Sequence, residues 1–285
     1  MTPRKTVAAA VRVEGIGVFT GADTACEIHP AAAGQGLKIA RYDDEAFPLT
    51  AEHLTTKPVH PLFGQIPPRH TSVARSPDES PIFTVEHLTA ALVGLGITDA
   101  TVRVRGPELP IGDGSAKLFV DPILARGIVE LDAEMPFMRL AEPMRFEEGP
   151  ASIVIEPSDR VHIEYRLDYG DPRIPAQSAA WDGTPETFAR EIAPARTFSL
   201  QEEAQQLQAA GLFTRFSARD LLVLGEDGPI DNELRYPDEP ARHKLLDLIG
   251  DLHLCGGCAY VNVTATKSGH ALNQQAARAL RALHA

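Results

Sequence analysis

Apolar and polar positions along this chain fall into two periods. Alternation with a period of two runs through Thr101-Val-Arg-Val-Arg105, Val161-His-Ile-Glu-Tyr-Arg-Leu167 and Tyr260-Val-Asn-Val-Thr264, and predicts three strands. Ser152-Ile-Val-Ile155 is a shorter strand candidate. Helical spacing appears at Val85, Leu88, Leu92 and Leu95. It recurs at Leu245, Leu248, Ile249 and Leu252, and again at Ala271, Ala276, Leu280 and Leu283. Strands and helices come in mixed order, which predicts α+β layers and not a regular βαβ series. Residues 57–69, with four prolines, and residues 168–185, rich in Pro, Gly and Asp, read as surface loops.

The pattern also repeats. Glu86-His-Leu-Thr-Ala-Ala-Leu-Val-Gly-Leu-Gly96 can be laid over Arg242-His-Lys-Leu-Leu-Asp-Leu-Ile-Gly-Asp-Leu252. Each is an apolar helix with a histidine in its first turn. A strand follows each, then a Gly-containing loop and another helix: Gly112-Asp-Gly-Ser-Ala-Lys117 in one half, Ser268-Gly-His-Ala-Leu-Asn273 in the other. Two related α+β halves facing each other are expected, with His87 and His243 near a shared seam. A helical segment ending near Leu131-Asp-Ala-Glu-Met-Pro136 places the boundary there, between residues 1–132 and 133–285.

Composition narrows the classes. The chain has 285 residues, 44% hydrophobic and 23% charged, enough for two domains of ordinary size. Lys plus Arg is 27 and Asp plus Glu is 39, so the net charge is −12. An acidic chain lacks the basic face that a nucleic-acid binder needs, although a few local cations can still hold one small anion. No apolar run reaches the length of a membrane span, and Arg12 and Glu14 interrupt any leader-like core. The three cysteines are an odd number, which fits a reducing cytoplasm better than a disulfide framework.

Four spots can carry chemistry. His243-Lys-Leu-Leu-Asp247 puts a His and a carboxylate about 40° apart on a helix, so both project from one face. They can hold two positions of a Zn²⁺ site, or simply hydrogen-bond each other. Asp251 lies about 80° from His243 and can reach the same region. Glu86-His87 can supply a third ligand and an adjacent base, or an acidic helix start with Thr84 as its N-cap. His270, just after a strand, can act as a general acid or oxyanion partner, or be a surface histidine. Other motifs fail. Gly15-Ile-Gly-Val-Phe-Thr-Gly21 is not a dinucleotide loop, residues 106–117 hold no P-loop, and Cys255-Gly-Gly-Cys258 reads as a helix ending with Gly256 or Gly257 in a left-handed cap.

Five motifs in order make a specific combination: Thr84-Val-Glu-His-Leu-Thr-Ala-Ala-Leu92, Pro110-Ile-Gly-Asp-Gly-Ser-Ala116, Ala195-Arg-Thr-Phe198, Arg242-His-Lys-Leu-Leu-Asp-Leu-Ile-Gly-Asp251 and Ser268-Gly-His-Ala-Leu-Asn273. The chain thereby resembles the UDP-3-O-acyl-N-acetylglucosamine deacetylases, zinc amidohydrolases of lipid A biosynthesis. The resemblance implies an α+β fold of two related β-α-α-β sandwich domains with the active site at their interface. It implies His87, His243 and Asp247 as ligands of Zn²⁺, with Fe²⁺ the alternative metal in vivo. Glu86 would be the base that activates the water, His270 the cationic acid, Asp251 its carboxylate partner, and Thr197 a donor to the oxyanion. Lys244 would contact the diphosphate side of the substrate, and Phe198 and Tyr169 would also contact substrate.

The resemblance further implies a cytoplasmic monomer whose partner is a UDP-activated, acylated amino sugar, with no nucleic acid and no integral membrane segment. Some positions depart from the family pattern: Val18, Phe19, His70, Ser199 and Leu212-Phe-Thr-Arg-Phe-Ser217. Arg215 and Phe216 are bulky where small residues would admit a sugar or acyl chain. Two alternatives stand beside the deacetylase reading. One is a paralogue acting on a different N-acyl sugar; the other is a non-catalytic, metal-stabilised sugar-nucleotide-binding protein.

Overall fold

Two sheets of five core strands share one strand order and one set of directions. In a computed structural model that describes residues 2–65 and 68–283, the first runs Val11–Ile16, Asp23–Pro30, Ala100–Arg105, Leu37–Arg41 and Phe47–Pro48 across the sheet. The second runs Met144–Glu148, Ala151–Pro157, Cys258–Thr266, His162–Leu167 and Gln177–Trp181. In both, the third and fourth strands are parallel and every other pair is antiparallel. Phe137–Arg139 adds a short strand parallel to Cys258–Thr266. The repeat seen in the residue pattern is therefore a repeat of topology.

The alternating segments form strands because one face is buried. In Ala100–Arg105 the buried positions are Ala100, Val102 and Val104; in His162–Leu167 they are Ile163, Tyr165 and Leu167. Two segments differ from expectation. Gln177–Trp181 lies within the stretch read as loop, yet Ala179 and Trp181 are buried and it pairs as an edge strand. Ile128–Glu134 is a strand antiparallel to Pro3–Val7, and the helix before it stops at Arg126, where Gly127 takes φ +94°. Proline and glycine mark loops, but tertiary pairing decides short strands.

The helices are α1 (Glu86–Gly94), α2 (Lys117–Arg126), α3 (Pro185–Thr187), α4 (Gln201–Ala209), α5 (Glu239–His253) and α6 (His270–Ala282). Helices α1 and α5 are buried almost all round, including Glu86, His87, His243 and Asp247. A helix hydrophobic on one stripe would lie at the surface; these two pack on each other, and α5 also packs on His162–Leu167 and Gln177–Trp181. Gly250 allows the close crossing, since a Cβ there would stand 2.2 Å from the Glu86 carbonyl oxygen. Gly94 likewise receives the Phe188 ring, whose carbons lie 2.2–2.4 Å from where a Cβ would stand.

Candidate metal centre and active site

The α1–α5 crossing brings three donors together. His87 Nε2 and His243 Nε2 approach the same Asp247 oxygen, at 3.5 and 3.4 Å. One donor atom from each residue lies within 4.8 Å of the others, and all three side chains are buried. His243 Nδ1 lies 3.1 Å from the Ala195 carbonyl oxygen, which can only accept. That contact places the proton on Nδ1 and leaves the Nε2 lone pair for a metal. Burial pushes His243 down to about 3, against the pull of Asp247, so the imidazole is neutral as a ligand must be. Burial would raise the Asp247 carboxyl, but Lys244 and the histidines hold it well below the usual carboxylate range. The donor set, two imidazole nitrogens and one carboxylate oxygen, fits a divalent metal with positions left open.

Glu86 stands beside this cluster and not in it. It is buried, and burial pushes its carboxyl up to about 7 against the opposing charges of His270 and His87. A carboxylate with that value is poised to take and return a proton near neutrality. Its Oε2 accepts the Thr71 backbone N–H at 2.9 Å.

On the far side of Asp247, His270 opens α6. Its Nδ1 donates to Asp251 Oδ2 at 2.8 Å, and its Nε2 lies 3.9 Å from Asp247 Oδ2. Burial alone would lower His270, but the charge and hydrogen bond of Asp251, with Asp247, raise it to about 9. It is therefore cationic at neutral pH, although it is buried. Asn273 Nδ2 also donates to Asp251, at 3.0 Å.

Strained backbone brackets both catalytic segments. Thr84 has φ +61° and Lys267 φ +53°, unusual for side-chain-bearing residues and for a β-branched one above all. Thr84 does not cap α1. Val85 occupies the cap position with no side-chain bond, and the Thr84 hydroxyl donates instead to buried Glu108 at 2.8 Å. Glu108 also accepts the Phe19 and Thr20 N–H groups, so it ties the glycine-rich loop to the start of α1. Before His270, Tyr165 Oη donates to the Ser268 carbonyl at 2.5 Å.

Lys244 Nζ bonds Asp247 Oδ2 at 2.6 Å and is mostly buried, with its ammonium form favoured by that carboxylate. Thr197 lies two residues beyond Ala195, and its backbone N–H donates to Gly114 at 2.8 Å. Phe198 and Tyr169 pair with each other, ring centroids 6.1 Å apart, and Tyr169 is exposed. Residue-type patterns missed two structural anchors. Buried Arg196 pairs with Glu239 at the head of α5, Nε to Oε1 at 2.8 Å, and so fixes the segment that carries Ala195 and Thr197. Thr71 contacts both Glu86 and Asp251.

Several divergent positions join a small apolar cluster: Val18 packs with Ile111 and Leu221, and Phe19, Phe213 and Phe216 pack on them. Phe19 meets Phe63, His70 and Phe213, with centroids 5.3, 4.7 and 5.3 Å away. Arg215 turns outward, to the Gly21 carbonyl and Asp23. Gly256 has φ +83°, as a left-handed cap after α5 requires, and Cys26 and Cys255 are free and buried.

A buried His-His-Asp set beside a carboxylate poised near neutrality and a cationic histidine can activate water and stabilise an oxyanion, which is the work of a metal-dependent hydrolase. Comparison with known proteins makes the class particular. The family model of UDP-3-O-acyl N-acetylglycosamine deacetylase (LpxC) matches residues 4–282, and the chain belongs to that family. The proteins named UDP-3-O-acyl-N-acetylglucosamine deacetylase from Brucella ovis and Brucella canis are each 36% identical over 283 residues, covering 97% of this chain and 94% of theirs. The one from Brucella melitensis is 35% identical over the same coverage. Among the described residues no helix is long and apolar enough to cross a membrane.

Proposed function

We propose that this chain hydrolyses the acetamide of UDP-3-O-acyl-N-acetylglucosamine and releases acetate, as a step of lipid A biosynthesis. The observation that carries the reading is the single buried cluster of Glu86, His87, His243, Asp247, Asp251 and His270 in a chain of this family. His87, His243 and Asp247 would hold Zn²⁺, which when bound supplies Lewis acidity to the water and the amide carbonyl. Glu86 takes the proton of the attacking water as the oxygen bonds to the acetyl carbon. Negative charge then grows on the carbonyl oxygen. The His270 imidazolium and the Thr197 hydroxyl donate to it, in a site dry enough for such bonds to be strong. The C–N bond breaks as the amine gains a proton from Glu86 or His270, leaving acetate and a free amino sugar. Asp251 keeps His270 charged and oriented. The partner is then a UDP-activated acylated amino sugar in the cytoplasm. Lys244, Phe198 and Tyr169 would contact its sugar-nucleotide portion, and the N- and C-terminal halves would act as the two domains that enclose it.

A second reading changes the amide and not the chemistry. The Phe19 ring packs on Phe213 and on His70, whose chain neighbour Thr71 bonds Glu86 and Asp251, and this bulk favours a paralogue acting on another N-acyl sugar. The test is acetate release by metal-loaded protein from a panel of N-acetyl sugar nucleotides with and without a 3-O-acyl chain. The main reading expects the acylated substrate to be preferred, and Glu86→Gln to lose about 10²-fold or more in kcat with metal retained. A preference for a different sugar would select the paralogue reading. Metal-replete protein without turnover of any of them would defeat both.

A further inference from the structure

Thr71 touches three side chains beside the proposed metal ligands: Glu86, Asp251 and His270. It is fully buried. Its backbone clamps the start of α1: the carbonyl accepts the Val85 N–H at 3.0 Å, and the N–H donates to Glu86 Oε2 at 2.9 Å. Its side chain faces the other helices. The hydroxyl donates to Asp251 Oδ1 at 2.5 Å on α5 and lies 3.3 Å from His270 Nδ1 on α6.

The direction of that hydroxyl follows from its neighbours. Gln274 Nε2 donates to Thr71 Oγ1 at 2.9 Å and occupies one lone pair. The hydroxyl has a single proton, and the carboxylate beside it can only accept. The proton therefore points to Asp251. Asp251 is fully buried and accepts from Thr71 on one oxygen, and from His270 and Asn273 on the other. A buried carboxylate needs each of these donors, because an unfilled acceptor there has no water to turn to.

We propose that Thr71 is a positioning residue that locks the Asp251–His270 pair against the base on α1, through its hydroxyl on one side and its backbone on the other. The inference rests on the reading of Glu86 and His270 as base and acid. Thr71 is fully buried and bonds the catalytic side chains themselves, so it acts through them. It sets where His270 points, so it affects the transition state and leaves ground-state substrate binding alone.

The test compares Thr71→Val, which keeps the shape and loses the hydroxyl, with Thr71→Ser, which keeps the hydroxyl. Thr71→Val should lower kcat about tenfold, with KM changed less than about twofold and metal content unchanged, and Thr71→Ser should recover most of the loss. A second readout needs no turnover: the low-field Nδ1 proton resonance of His270 in metal-free protein, assigned by its loss in His270→Gln. It should move in Thr71→Val and return in Thr71→Ser. Should Thr71→Val not fold, Gln274→Met removes the donor that orients the hydroxyl and should move the resonance and kcat in the same direction. Wild-type kcat with an unmoved resonance in Thr71→Val would overturn the proposal, as would a Ser variant as impaired as the Val variant. If the wild type itself released no acetate, the functional reading would fail, and the resonance alone would decide the role of Thr71.

Discussion

Gly250→Ala offers a sharp test of how the two helices build the site. On helix propensity alone the change should stabilise, since Ala exceeds Gly by about 1 kcal/mol in a helix interior. The packing predicts the opposite. A Cβ at position 250 would stand 2.2 Å from the Glu86 carbonyl oxygen, 3.0 Å from its carbonyl carbon and 3.2 Å from its Cα. All three are backbone atoms, so no side chain can rotate away. Relief requires α1 and α5 to separate by roughly 1 Å, and overpacking of this kind costs about 1–3 kcal/mol. At about 2–4 °C per kcal/mol for chains of comparable size, Tm should fall by several degrees. Function should fall further than stability. Glu86 and His87 ride on α1, while His243 and Asp247 ride on α5, so the same shift opens the donor set. A displacement of about 1 Å in a catalytic constellation costs on the order of 10²-fold in rate. The assay is thermal unfolding, metal titration and acetate release on one preparation. A Gly250→Ala protein with unchanged or higher Tm and wild-type metal affinity would refute the reasoning.

Further outcomes follow from the buried charges. Removing Glu239 leaves Arg196 charged and buried, so Glu239→Ala should cost about 3–5 kcal/mol in chemical denaturation. The two histidines near the catalytic network should tilt the pH dependence of metal-free protein in opposite directions. His270 is raised to about 9, so its stabilisation is complete below its ordinary value near 6.5 and is lost as pH rises through 9; in His270→Gln that alkaline decline should flatten. His70 is lowered to about 4, by burial first and by the charge of His270 second. Its contribution is complete above 6.5 and is lost as pH falls toward 4, so His70→Phe should soften the acid decline in urea midpoints measured across that range.

The α+β character and the repeated helix–strand–loop–helix order were legible because they rest on local patterns, whereas the three proposed ligands came together as a set only through the family resemblance. Strand alternation, helical spacing and a histidine in the first turn of each repeated helix survive in any tertiary setting. Thr71, Arg196 and Gly250 were not legible as site-building residues. A threonine, an arginine and a glycine carry no chemistry by type, and their roles arise only where chain segments far apart in sequence meet. Thr84 makes the same point in reverse. Its type and place suit an N-cap, yet Glu108, far along the chain, draws its hydroxyl away and holds it at positive φ. Pro- and Gly-rich flanks make residues 177–181 look like loop, and only pairing with His162–Leu167 makes them a strand.

The central claim is that His87, His243 and Asp247 bind one metal that the deacetylation requires. Its most direct test is metal content and acetate release measured together on wild-type protein and Asp247→Ala. The account predicts one metal per wild-type chain, and in the variant a loss of bound metal with a parallel loss of acetate. Equal metal content in the two proteins would contradict it.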